Sequence, residues 1–271
     1  MKLNNIKTRW NNGQTVLNGW LSIANAFSAE IMAEQGYDAL TIDLQHGFVG
    51  YEQATHMLQA MRASGVAPMV RVPWLEPGII MKALDAGAWG IICPMIGTAE
   101  QAQALVSCVR YPPHGSRSFG PTRVTFSAGQ DYGQHADQQV VCFAMIETAE
   151  AFDNIEAIVA TPGLDGVYIG PADLTLGLTG RKYRTGFDRT EPEIVDAIKH
   201  ILATAHHAGK KAGLHNGSAA YAAKAAEWGF DLVTLSNDVQ LLRGAAAASV
   251  QQFRELNGGA LTATPAQTGG Y

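Results

Sequence analysis

Eight short apolar runs recur along this chain, at 17–24, 39–43, 68–72, 90–93, 140–146, 166–169, 212–214 and 232–235. Between and after them lie stretches rich in Ala, Glu, Gln and Met, at 28–35, 51–63, 77–86, 98–109, 149–160, 192–208, 218–228 and 239–255. A continuous apolar run suits a strand covered on both faces, which occurs in parallel sheets flanked by helices. Strict alternation of strand and helix predicts such a sheet, and eight repeats predict its closure into a (β/α)8 TIM barrel. At 271 residues, 47% of them hydrophobic, the chain is long enough for one such domain. The expected division is a barrel over residues 1–256 and a flexible tail, 257–271, rich in Gly, Thr and Ala and without chemical role.

Local signals mark the boundaries. Gly36, Gly65, Gly87, Gly209 and Gly229 each follow a helical stretch and precede a strand, where a left-handed residue ends a helix without a Cβ clash. Thr98 followed by Gln101 reads as a capping box. The longest interruption, 110–139, is expected to be a structureless insertion that covers the barrel rim or a neighbouring subunit.

Composition excludes several functions. A formal charge of −5, with 19 Lys and Arg scattered without runs, offers no surface for nucleic acid. Residues 1–14 lack the apolar core of a signal peptide, and no charge-free apolar stretch is long enough to span a bilayer. A soluble cytoplasmic protein is expected. Cys93, Cys108 and Cys142 cannot all pair and lack metal-type spacing, so they are read as free thiols.

The chemistry gathers at the C-terminal ends of the strands, the edge where such barrels build active sites. Asp43-Leu-Gln-His46 ends the second, Arg71 the third, Glu147 the fifth, and Gly170-Pro171-Ala172-Asp173 the sixth. Glu147 and Asp173, on adjacent strands, form an oxygen pair suited to Mg²⁺ or Mn²⁺; the plainer readings are a solvated Glu147 and a helix cap at Asp173. A buried Arg71 needs an anion, either Asp43 or a substrate enolate. Asp43 three residues before His46 can orient the imidazole for proton transfer. His215 and Asn216, ending the seventh strand, could face a second part of the substrate, and Arg117 and Arg123 could bind a distal carboxylate or a partner subunit.

Six segments in order, Asp43-Leu-Gln-His46-Gly47, Val70-Arg71-Val-Pro-Trp74, Lys82-Ala-Leu-Asp85-Ala-Gly87-Ala, Arg110-Tyr-Pro-Pro113, Met145-Ile-Glu147-Thr and Tyr168-Ile-Gly170-Pro171-Ala172-Asp173-Leu174, resemble the HpcH/HpaI aldolases. The resemblance implies a pyruvate-binding TIM barrel and a class II aldolase. Such an enzyme makes or cleaves 4-hydroxy-2-keto acids through a pyruvate enolate, with a divalent ion (Mg²⁺, Mn²⁺ or Co²⁺) as cofactor. Carried over by position, Glu147 and Asp173 are the metal ligands, Arg71 contacts the pyruvate oxygens, and His46 with Asp43 is the acid/base element. Asp85 resembles a carboxylate sent into the neighbouring subunit's site. Gly170, Pro171 and Ala172 surround the pyruvate carboxylate, and Trp20 lies at the pocket wall or fills the barrel. The resemblance further implies a hexamer, a trimer of dimers, with an exchanged C-terminal helix.

Two positions depart from that pattern: Gln45 stands where many relatives have Glu, and Met145 where the type member, 4-hydroxy-2-oxoheptanedioate aldolase, has Gln. The base stays open between His46 and a hydroxide carried by the metal. Competing functions are a CoA-ester lyase of the citrate lyase β or malyl-CoA type, a hydratase or decarboxylase using the same enolate, and a non-catalytic keto-acid sensor. A Schiff-base route would need a lysine at the barrel mouth, where the strand ends carry none.

Overall fold

In the computed structural model, which describes residues 1–257, eight parallel strands pair in sequence order and close on themselves. They are β1 (Val16–Leu21), β2 (Ala39–Asp43), β3 (Ala67–Arg71), β4 (Gly90–Cys93), β5 (Val141–Ile146), β6 (Gly166–Ile169), β7 (Lys211–Asn216) and β8 (Leu232–Leu235). The expected tail falls outside the described residues apart from Asn257. Among the described residues no helix is long and apolar enough to cross a membrane. The three cysteines are free and buried.

Period-two alternation divides each strand between two cores. Inward-facing side chains, including Val16, Met69, Ile92, Phe143 and Tyr168, fill the barrel, while outward ones such as Leu40, Val70, Ile91 and Ile169 pack beneath the helices. The inward series runs on into the site: Trp20 follows Val16 and Asn18, Asp43 follows Ala39 and Thr41, and Arg71 follows Ala67 and Met69. Polar side chains at the strand ends are thus the next members of a row whose lower members are core.

All five expected glycines take positive φ, from 69° at Gly209 to 113° at Gly87. The Thr98–Gln101 capping box is formed in full. An unexpected N-terminal helix, Asn5–Asn11, closes the bottom of the barrel, where Ile6 and Trp10 join the inner core and Trp10 meets Phe143 edge-on at 5.8 Å.

The 110–139 segment is not structureless. It contains two helices, Val124–Ala128 and Tyr132–Gln139. Tertiary contacts fasten it: Arg117 is wholly buried between the rings of Tyr111 and Tyr132 and pairs with Asp85 at 2.6 Å. Arg123 donates to the carbonyls of Ala86 and Leu58. Both arginines therefore hold the insertion to the barrel. The helix expected over 149–160 is broken at Asn154, whose side chain turns aside to donate to the Gly97 carbonyl at 2.8 Å.

Candidate active site

The strand ends enclose a cavity of about 370 Å³. Arg71 and Asp43 face each other because β2 and β3 pair them in register. The guanidinium donates twice, Nε to Oδ1 at 2.8 Å and Nη2 to Oδ2 at 2.6 Å. Asp43 Oδ2 also accepts from the Trp20 indole at 3.2 Å, and Arg71 lies over the Trp20 ring at 4.8 Å. Burial opposes charge on both partners, but each holds the other ionised: Asp43 titrates below its usual range and Arg71 above. Trp20 is therefore a wall and a clamp at once.

Asp43 meets His46 through the main chain. Oδ1 accepts from the backbone N–H of Gln45 at 3.0 Å and of His46 at 3.3 Å, so the carboxylate shapes the turn after β2. The register of β2 and β3 places the same carboxylate against Arg71. His46 lines the cavity.

Glu147 is 3% exposed rather than solvated. Its Oε1 accepts from the Met95 backbone N–H at 2.8 Å, and Met95 itself sits at φ 57°, a left-handed conformation costing on the order of 1 kcal/mol for a side chain other than glycine. Its Oε2 lies over Gly170, so close that a Cβ there would be 2.6 Å away. Burial raises the Glu147 pKa to about 7; the Met95 N–H and Arg71 oppose the rise and the Asp173 charge adds to it.

Asp173 does not cap its helix. Pro171–Thr179 starts from Gly170 without a side-chain cap, and Asp173 stands in its first turn, lining the cavity. A carboxylate there gains from the helix dipole. Gly170 and Ala172 line the same cavity, and Pro171 between them is buried.

Asp85 is absent from the lining of this cavity and is ion-paired with Arg117 at 2.6 Å. Asn216 is fully buried and, with its amide turned to suit its surroundings, bonds the Leu214 and Thr234 carbonyls, so its role is structural. His215 does line the cavity. Met145 lies in the wall, and the Gln45 amide oxygen is buried without a hydrogen-bond partner.

Sequence reasoning missed Phe48, Phe187 and Val239 in the lining and the Met95 N–H on Glu147. Phe187 comes from an irregular loop with no periodic signal, and Met95 has no residue-type signature for positive φ.

The lysines considered for Schiff-base chemistry are occupied elsewhere. Lys82 packs on Tyr51 at 4.1 Å, Lys210 donates to the Thr161 and Leu164 carbonyls, and Lys211 pairs with Asp231 at 2.7 Å.

The profile of the HpcH/HpaI aldolase/citrate lyase family matches residues 16–244. The chain belongs to this family. It is 42% identical to the hydroxypyruvate/pyruvate aldolase of Rhizorhabdus wittichii over 94% of this chain and 100% of that one. It is 34% identical to the 5-keto-4-deoxy-D-glucarate aldolase of Klebsiella pneumoniae over 89% of this chain and 93% of that one. The crystal structure of an HpcH/HpaI aldolase/citrate lyase family protein from Burkholderia cenocepacia superposes with a TM-score of 0.84 at 33% identity, covering 93% of this chain and 99% of that one. As a member of this aldolase family the protein is an enzyme, a carbon–carbon lyase.

Proposed function

We propose that this aldolase cleaves, and in reverse forms, 4-hydroxy-2-keto acids, giving pyruvate and an aldehyde. The observation that carries the reading is the convergence in one cavity of a clamped Arg71, two neighbouring carboxylates and the start of the Pro171–Thr179 helix.

The carboxylate pair fits a divalent ion. Burial and mutual repulsion resist ionisation of Glu147, and Arg71 is already committed to Asp43, so the pair lacks a full counter-charge. Among the described residues no group of three His, Cys, Asp or Glu side chains forms, which would leave most coordination positions for substrate and water. Mg²⁺, Mn²⁺ or Co²⁺ held by Glu147 and Asp173 would act as a Lewis acid toward the keto acid.

The remaining work belongs to the chain. The main-chain N–H groups of Ala172 and Asp173, unpaired within the first helical turn, suit the pyruvate carboxylate. His46, at the mouth, takes the proton of the 4-hydroxyl as the C3–C4 bond breaks and the aldehyde departs. Arg71 keeps Nη1 for the enolate oxygen, a fixed charge placed where negative charge develops. Proton return to C3 completes pyruvate.

Assembly follows the same reading. In the helix Asp238–Leu256 only Asp238 is buried, while Leu242, Phe253 and Leu256 are more than half exposed. That exposed apolar face supports a helix exchanged between copies of a hexamer, the setting in which Asp85 would reach a neighbour's cavity.

Chelated protein reconstituted with Mg²⁺, Mn²⁺ or Co²⁺ is expected to release pyruvate from 4-hydroxy-2-keto acids, read through lactate dehydrogenase. His46→Ala should lose pyruvate methyl proton exchange. Normal exchange would remove His46 from the base role, and lyase activity confined to CoA esters would overturn the substrate.

A further inference from the structure

A chain of buried hydrogen bonds crosses the barrel beneath the cavity and ends at His215. Thr41 Oγ1 donates to Asn18 Oδ1 at 3.1 Å, and Asn18 Nδ2 donates to Thr234 Oγ1 at 3.0 Å. An amide nitrogen only donates, so the Thr234 oxygen accepts there, and pairing every buried hydroxyl proton of the chain then directs the Thr234 proton to Tyr168 Oη, at 2.6 Å. The same pairing makes the phenol O–H the donor to His215 Nδ1, at 3.0 Å. With Nδ1 an acceptor, the proton of the neutral ring resides on Nε2.

Neutrality is secured independently. Burial, helped by the Arg71 charge and only partly offset by Asp43, pushes the His215 pKa down to about 3. The ring is held edge-on to Trp20 at 4.7 Å and against Phe187 at 4.5 Å. Such a group cannot serve as a base through Nδ1. What it offers the cavity is a single oriented N–H.

Its place in the ring of strands says which part of a substrate it meets. On the aldolase reading above, pyruvate would lie between Arg71 on β3 and the carboxylates after β5 and β6, with the 4-hydroxyl toward His46 after β2. His215, on β7, stands on the other side, against Phe187 and Trp20. Asn237, also there, has its Oδ1 occupied by the Gln240 backbone N–H.

We propose that His215 is a binding residue for the aldehyde fragment, its Nε2–H donating to an oxygen on the carbon next to the carbonyl, so that 2-hydroxyaldehydes are preferred over alkyl aldehydes. This rests on the aldolase reading above. An alkyl group would leave that N–H unpaired in the closed complex, whereas a hydroxyl accepts from it, a difference expected to be about tenfold or more.

The test compares aldol addition of pyruvate to glycolaldehyde and to propanal, which differ by OH against CH3. The wild-type ratio of kcat/KM values for the pair should fall about tenfold in His215→Phe. His215→Asn, which retains an acceptor for Tyr168 and an N–H donor, should keep most of it. Tyr168→Phe, which frees the tautomer, should fall between. The ¹⁵N spectrum of the imidazole should show the proton on Nε2 in the wild type, a readout that needs no turnover and no variant. A proton on Nδ1, or an unchanged ratio in His215→Phe, overturns the inference alone. Absence of pyruvate methyl proton exchange in metal-loaded wild type overturns the aldolase reading itself.

Discussion

Replacing Gly170 by alanine perturbs the Glu147 carboxylate without touching a charge. The backbone at Gly170 has φ −97°, open to any residue, so alanine adds no dihedral strain. The new methyl would lie 2.6 Å from Glu147 Oε2 and 3.0 Å from Met145 Cε. For contact to relax from 2.6 to 3.4 Å, the carboxylate must retreat by about 0.8 Å. Its other oxygen is tethered to the Met95 N–H, so the retreat becomes a rotation of the carboxylate about that tether. The fold should tolerate this, at a cost of about 1–3 kcal/mol for overpacking. Function should not: catalytic groups must hold their geometry to about 0.5 Å, and a misplacement near 1 Å costs on the order of 100-fold. Gly170→Ala should therefore remain folded by circular dichroism, while kcat/KM for pyruvate release falls about 100-fold and divalent-ion affinity weakens by calorimetry. Adding Glu147→Asp, which withdraws the carboxylate by one methylene, should recover part of both. A folded Gly170→Ala protein with wild-type kinetics and metal affinity would refute the placement of Glu147 as the carboxylate on which the site depends.

Other outcomes follow from the same geometry. Because Glu147 keeps its proton more tightly in the folded state (pKa raised from 4.5 to about 7) than in the unfolded chain, chelated protein should lose about 3 kcal/mol of stability as pH rises from 4 to 8. Thermal melts should show that slope disappear in Glu147→Gln, and a slope that persists would place its origin elsewhere. Asp43→Asn strands the Arg71 guanidinium without its ionised partner and should cost about 3–5 kcal/mol in urea unfolding, with activity lost as well. An unchanged midpoint would mean that the buried pair contributes nothing to stability. Borohydride treatment in the presence of pyruvate should leave the mass of the protein unaltered, and an adduct on any lysine would establish Schiff-base chemistry.

Much of this molecule can be read from its residues in order. Strand and helix alternate with distinct periods, so the closed barrel follows from local pattern. The strands point their ends one way, so Asp43, Arg71 and Glu147 were bound to share an edge once the sheet was parallel. The turn glycines and the Thr98 cap were legible because each depends on neighbours only a few residues away.

What tertiary structure alone decided depends on contacts distant in sequence. Register across β2 and β3 made Arg71 the bidentate partner of Asp43. Burial between two aromatic rings turned Arg117 from a candidate ligand contact into a pin for the insertion. Gly170 and Glu147 are 23 positions apart, and only the closed barrel sets them within a methyl's width. The proton position on His215 is the most remote from sequence, because it is passed along Thr41, Asn18, Thr234 and Tyr168, each from a different strand. Chain order determines which residues reach the barrel mouth, whereas hydrogen-bond direction and charge pairing are properties of the three-dimensional neighbourhood, and these decide what each residue does there.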